Sequence, residues 1–208
     1  MKYNSQYIFP PRPENKLPRA GLEKFDNGTF FAQPKFNGSC AEIYTGSDVH
    51  NVMNRHKAQL TGFKIPKTEI RNLIHNNGMN LIVGEYMNKS KKDHTCRLFN
   101  HKFVIIDLLV VDGEYLLGTT YDERVDMMYD MFKFSDENDY SYKITDNIYM
   151  TKTFYTGFNT LWDNFVKTEM LEGLVLKRKN AGLEMGATEK NNVKSMLKIR
   201  KETKNYRY

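Results

Sequence analysis

Gln33-Pro34-Lys35-Phe36-Asn37-Gly38-Ser39 sets a lysine in a short polar turn, directly after the apolar run Phe30-Phe31-Ala32 and before Ala41-Glu42-Ile43-Tyr44. The flanking runs read as one strand entering and one strand leaving. The amide and the glycine between them let backbone approach closely and place an amine at the edge of a sheet. Such an amine is a nucleophile when burial or neighbouring charge favours its uncharged form. Alone, Lys35-Phe36-Asn37-Gly38 says little, because most such tetrapeptides are hairpin turns with a solvated lysine. The rest of the chain decides.

The 208 residues are enough for one substantial core, and 40% hydrophobic with 13% aromatic content supports a packed globule. No apolar run reaches the ~20 residues of a membrane span, and the N-terminus has no signal-peptide pattern. Cys40 and Cys96 offer neither a disulfide framework nor metal-ligand spacing, which suits a reducing, cytoplasmic compartment. The net charge of +6 is uneven: Lys89 to Lys92 and Lys177 to Arg207 are strongly basic, while Asp122 to Asp139 is acidic. A basic stretch interleaved with Ile, Leu and Tyr suits a phosphate backbone, and equally a solvated surface tail. Lys and Asn enrichment is that of an A/T-rich genome, a viral one included.

Along the chain, Tyr7 to Pro18 carries four of the six prolines and reads as part of an extended arm covering about residues 1–20. A short helical piece around Leu22 to Phe25 and an Asn27-Gly28 turn follow. Strands are expected at Val49 to Arg55, Leu81 to Tyr86, Phe103 to Val111, Ile144 to Phe154, Leu174 to Leu176 and Ser195 to Arg200. Helices are expected at Thr68 to His75, capped by Thr68 and stopped near Asn77-Gly78, at Tyr121 to Phe132, and at Phe158 to Lys167. Asp112-Gly113 is a turn. The pattern is α+β with antiparallel strands predominating.

The polar groups of interest stand at strand ends or inside apolar strands: Lys35, Glu85, Asp107, Glu172, and the pair Lys198 and Arg200. Each alone has an ordinary explanation as a strand-end carboxylate, a core residue satisfied by backbone, or the solvated face of an edge strand. Together they supply a nucleophilic lysine, carboxylates able to hold a divalent metal, and cations able to hold phosphate. That set suits attack on a nucleotide phosphate.

The order Lys35-Phe36-Asn37-Gly38, Asn54-Arg55, Gly84-Glu85, Phe103-Val104-Ile105-Ile106-Asp107, Glu172-Gly173-Leu174-Val175-Leu176-Lys177 and Leu197-Lys198-Ile199-Arg200 resembles the covalent nucleotidyltransferase superfamily. Its members are ATP-dependent DNA ligases, RNA ligases and mRNA capping guanylyltransferases. The resemblance runs from about Gln33 to Tyr208, and Glu172 to Lys177 is its most specific part. It implies one adenylation domain over residues 1–208, with two antiparallel sheets and flanking helices around an ATP-binding groove. Lys35 would attack the α-phosphate of ATP to form a lysyl-adenylate. Gln33 would read the adenine amino group, Arg55 would contact ribose or phosphate, and Glu85 would hold ribose hydroxyls. Asn37 and Gly38 complete the lysine motif at the nucleotide. Glu172 would bind Mg²⁺ (or Mn²⁺), with Asp107 as a second metal carboxylate. Lys198 and Arg200 would hold the α-phosphate with Lys177 close by.

The chain departs from the pattern at Asn37 and Cys40, where most DNA ligases and capping enzymes carry Asp and Arg. Several RNA ligases do have Asn at the first of these. Ile106 stands where an adenine-stacking ring is common, leaving Phe103 as the substitute. Asp107-Leu108-Leu109 through Asp112-Gly113-Glu114 to Glu123-Arg124 looks more like DNA ligases. Only eight residues follow Arg200, so the resemblance implies a ligase without an OB-fold domain, either a minimal one that binds nucleic acid with its own basic surface or one that a partner completes, with the segment from Lys201 to Tyr208 contributing to nucleic-acid grip. The expected function is a monomeric ATP-dependent polynucleotide ligase sealing 3′-OH/5′-phosphate nicks or breaks, DNA slightly favoured. The alternatives are an RNA ligase of the same fold, a capping guanylyltransferase, or an inactive nucleic-acid-binding module.

Overall fold

In chain order the described residues form β1 (Arg12–Lys16), a 3-10 helix (Arg19–Phe25), β2 (Phe30–Phe36), β3 (Ser39–Thr45), β4 (His50–Asn54), α1 (Lys67–Arg71), β5 (Asn80–Met87), β6 (Lys102–Val111), β7 (Glu114–Tyr115), α2 (Tyr121–Met131), β8 (Asp136–Glu137), β9 (Ser141–Lys143), β10 (Ile148–Thr151), α3 (Phe158–Phe165), β11 (Leu171–Arg178) and β12 (Asn192–Arg200). The computed structural model describes residues 1–46, 50–74, 78–88, 92–93, 97–165 and 167–202. Expectations placed on Val49, His75, Asn77, Lys89 to Lys91, Cys96 and residues 203–208 lie outside these. No described helix is long and apolar enough to cross a membrane.

Two sheets carry the strands, one ordered β1-β12-β11-β2 and the other β4-β3-β5-β6-β10-β9-β8, with β7 also on β6. The α+β expectation stands, with one refinement. Each sheet contains a parallel pair, β1 with β12 and β10 with β6, so both sheets are mixed. The arm supplies the first pair: Pro13 lacks an N–H, and β1, which carries it, accordingly sits at a sheet edge.

The lysine turn is not a hairpin. β2 pairs with β11 in the four-stranded sheet, whereas β3 pairs with β4 and β5 in the other. Asn37-Gly38 therefore carries the chain from one sheet to the other. Gly38 passes so close to β5 that a Cβ there would lie 2.4 Å from the Tyr86 carbonyl oxygen, which only glycine permits.

Period-two alternation assigns the faces of the four-stranded sheet. Phe30, Ala32 and Phe36 on β2, Leu174 and Leu176 on β11, and Leu197 and Ile199 on β12 share one apolar cluster with Leu22, Phe158, Trp162 and Phe165. The 3-10 helix and α3 thus cover that face, and Gln33, Lys35, Val175, Lys177, Met196, Lys198 and Arg200 line the groove on the opposite one. In the larger sheet, Ile43, Ile82, Ile105 and Leu108 pack with Val125 and Met128 of α2. The helix α2 starts at a reciprocal cap: Thr120 accepts from the Glu123 N–H and Glu123 accepts from the Thr120 N–H. The first helix differs from expectation, starting after Pro66 with no side-chain cap. Asp112 and Gly113 both take positive φ, 49° and 78°, and turn β6 into β7.

Candidate active site

The face of the small sheet opposite its apolar cluster and a face of the large sheet enclose a groove of about 610 Å³. Register explains which side chains meet there. Gly173 on the central strand β11 is paired with Lys35 on one side and Arg200 on the other, so these two flank a residue that has no side chain. In the next row, Val175 stands between Gln33 and Lys198.

Strict alternation would turn Glu172 away from the groove, since Leu174 and Leu176 face the apolar cluster. A β-bulge between Leu171 and Gly173 changes this: two steps on β11 match one on β2, and the extra residue is Glu172. Its carboxylate accepts from Lys35 Nζ and, at 3.3 Å, from an Arg200 Nη. The bulge requires Gly173, whose φ is +146° and whose Cβ would lie 1.9 Å from the Ile199 carbonyl oxygen.

Lys198, near Arg200 and Lys35, donates to the Pro13 carbonyl at 2.9 Å. Burial, and then Arg200 and Lys35, depress its pKa. From the large sheet, Glu85 accepts from the Gly38 N–H at 3.0 Å. Burial raises its pKa to about 7, against the pull of Lys35 and that hydrogen bond. Arg55, exposed at the end of β4, lies at the rim and donates through Nε to His56 Nε2 at 3.2 Å. Gln33, buried at the groove wall, donates through Nε2 to Thr153 Oγ1 at 3.0 Å. Arm residues Pro10 to Pro13 complete the lining, as does Cys40, whose thiol burial holds in its protonated form.

Three expected site residues sit elsewhere. Asp107 is 5% exposed and gives both carboxylate oxygens to Arg124 of α2, at 2.7 and 3.0 Å, so it is not presented to the groove as a metal ligand. Burial would raise its pKa, but Arg124 and then Lys177 outweigh this and hold it low. Phe103 is fully buried with its ring 6.1 Å from that of Phe63, in the core rather than the groove, because its position on β6 faces α2. Asn37 stands at the bend with its N–H bonded to the Met170 carbonyl and is not among the lining residues.

Lys177 does reach the groove. Its Nζ donates to the Ile106 carbonyl at 3.1 Å and lies 3.9 Å from Asp107 Oδ2. Burial lowers its pKa to about 8, helped by Arg124 and opposed by Asp107. Arg124 is the partner that a reading of strand motifs misses. Its signal is in the sequence: Tyr121, Arg124, Val125 and Met128 share the buried stripe of α2, and an arginine there needs an internal anion.

Among the described residues no group of three His, Cys, Asp or Glu side chains could hold a metal ion. Glu172 and Glu85 are the groove's carboxylates, so a divalent ion fits here only with most of its ligands supplied by a bound phosphate.

A family model described as "ATP dependent DNA ligase domain" matches residues 15–200. Among solved structures, the chain is similar to a mycobacterial DNA ligase D complexed with ATP and MES, with a TM-score of 0.63 and 13% identity over 93% of this chain and 60% of that one. The ligase domain of M. tuberculosis LigD gives 0.62 and 14%, over 93% and 59%. A structure from work on Lig E DNA ligases, described as binding DNA with a minimal scaffold, gives 0.59 and 14%, over 93% and 70%. The chain thus spans about 60% of the first two neighbours' length. No curated protein matches it.

Proposed function

Because the chain belongs to the family of ATP-dependent DNA ligase domains, we propose that it seals nicks in nucleic acid, DNA slightly favoured over RNA, through a covalent adenylate on Lys35. The observation that carries this reading is the contact of Lys35 with Glu172, in a groove that also presents Lys177, Lys198 and Arg200.

The chemistry balances on these residues. Lys35 attacks as the uncharged amine, its proton lost to solvent under the influence of the nearby cations, with the touching Glu172 carboxylate orienting Nζ. Nζ then forms a bond to the α-phosphorus of ATP as the bond to pyrophosphate breaks. Lys198 and Arg200 stabilise the charge on the α-phosphoryl oxygens, and Lys177 holds a second approach to them. A 5′-phosphate oxygen at the nick next attacks the adenylate phosphorus and releases Lys35. Finally the 3′-hydroxyl attacks the activated 5′-phosphate and AMP leaves. Glu85, lining the same groove, would hold ribose hydroxyls, and Arg55 would contact ribose or phosphate. Mg²⁺ or Mn²⁺, held by Glu172 with the nucleotide phosphates, would offset phosphate charge. The groove's cations would meet nucleic-acid phosphate, and a monomer suffices for the adenylation step.

Incubation with α-labelled ATP and a nicked duplex, followed by denaturing separation, tests the reading. Label should appear on the protein, then on the 5′-phosphate, and a sealed strand should follow, faster on a DNA nick than on an RNA nick. Label that stays on the protein with every nicked substrate would overturn the ligase reading. Transfer from GTP in place of ATP would move it to capping chemistry.

A further inference from the structure

Gln33 is only 2% exposed, yet the two ends of its amide have different surroundings. Nε2 donates to Thr153 Oγ1 at 3.0 Å, while Oε1 has no hydrogen-bond partner among the described residues and the side chain lines the groove. Although the residue as a whole is buried, Oε1 is not a buried orphan: it remains accessible, on a side chain that lines the groove, and can accept from a ligand that enters there. An amide is polar in two senses, donor at one end and acceptor at the other, so its orientation decides what it can recognise.

Thr153 reaches this position through a long-range connection. After β10, in the large sheet, the chain crosses to the small one, where Ala32 and Phe154 exchange both backbone hydrogen bonds at 2.8 and 2.9 Å. Phe154 is thereby bridged to β2 beside Gln33, and Thr153 is its immediate neighbour. The threonine hydroxyl is thus held against the amide by backbone pairing.

We infer that Thr153 is a base-selecting positioning residue: it engages the amide nitrogen of Gln33 and leaves the oxygen facing the groove as a hydrogen-bond acceptor. An acceptor there pairs with the exocyclic 6-amino group of adenine and meets the 6-oxo group of guanine acceptor to acceptor. A site whose polar group is left unpaired by the wrong base discriminates strongly. The inference rests on the reading of the groove as a nucleotide site.

The test compares wild type, Thr153→Val and Thr153→Ser. Equilibrium binding of ATP and of GTP is measured for each, together with the rate of nucleotide transfer to the protein. Wild type should prefer ATP by more than about tenfold, as expected for one mispaired buried hydrogen bond. Thr153→Val should reduce that ratio at least about fivefold and leave the rate at saturating ATP within about twofold. Thr153→Ser, which keeps the hydroxyl, should restore the ratio. A merely structural role for Thr153 would weaken both nucleotides alike. An unchanged ratio in Thr153→Val, or equal binding of ATP and GTP by wild type, would overturn the inference. Should ATP bind selectively and depend on Thr153 while no adduct forms, the base-selection inference survives and the proposed catalytic function fails.

Discussion

The two walls of the groove are built from opposite kinds of side chain. The four-stranded sheet contributes Lys35, Lys177, Lys198 and Arg200, with Glu172 swung in by its bulge. The larger sheet contributes apolar Val83 and Ile106, the Cys40 thiol and the single carboxylate of Glu85, with Arg55 only at the rim. Both walls are strands with one face in a core, so the difference lies in what each places on the other face. The cationic wall suits phosphate chemistry, where charge develops in the transition state. The carboxylate wall suits neutral donors such as sugar hydroxyls. The chain changes sheet at Asn37-Gly38, so Lys35 belongs to one wall and the strand after the bend to the other.

That contrast breaks first at the cations. Replacing both Lys198 and Arg200 by Met should slow adenylate formation by about 10⁴-fold, since each removed charge-stabilising donor costs on the order of 10²–10³. ATP binding should weaken far less. Single-turnover kinetics alongside equilibrium binding would separate the two, and equal losses in both would reduce this wall to simple binding.

The next largest effect concerns the support behind the cationic wall. Arg124→Met leaves Asp107 buried without its bidentate partner, and should cost about 3–5 kcal/mol of stability by denaturant unfolding. Arg124→Met with Asp107→Asn should recover part of that loss. A single variant as stable as wild type would remove the pair from the account.

On the other wall, Glu85→Gln should weaken ATP binding about tenfold, roughly 1.4 kcal/mol, while the adenylation rate at saturation stays nearly unchanged. A rate defect at saturation would give Glu85 a part in the chemistry that the contrast between the walls denies it.

The smallest effect is a pH dependence behind the carboxylate wall. Glu42 is fully buried, accepts from Tyr44 at 3.1 Å and lies 2.5 Å from the Tyr7 hydroxyl, which also lies 2.7 Å from the Asn54 carbonyl. One phenolic proton cannot serve both acceptors, and a protonated Glu42 donating to Tyr7 resolves the count. Burial raises its pKa from 4.5 to about 8, with the tyrosine hydrogen bonds opposing. The folded state therefore holds this proton through a pH range in which the unfolded chain has lost it. The resulting stability is fully present below about pH 4.5 and is lost as pH rises through about 8. Glu42→Gln should shrink the fall in Tm between pH 5.5 and pH 9. A fall as steep as in wild type would show that Glu42 is ionised throughout.

Much of this was legible in the sequence, and what was not has a physical reason. The strands that carry Lys35, Glu85, Lys177, Lys198 and Arg200 are apolar-polar alternations whose faces can be counted. The structure brings these residues, with Gln33, Glu172 and Arg55, to one groove. A local reading of Asn37-Gly38 favours a hairpin, since nothing in a tetrapeptide reports which sheet the following strand joins. Asp107 looks available because β6 alone does not reveal an arginine 17 residues away on α2. Phe103 looks suitable as a stacking ring until pairing of β5 and β6, with register shifts beside Val83-Gly84, turns it into the core. Thr153 leaves no sequence signal at all, because a single bridge between distant residues puts it beside Gln33.

Mapping the modified peptide after incubation with ATP tests the central claim most directly. The account predicts AMP on the peptide containing Lys35, no adduct in Lys35→Ala, and an unchanged Tm for that variant within a few degrees. An adduct on another lysine, or one that persists in well-folded Lys35→Ala, would contradict it.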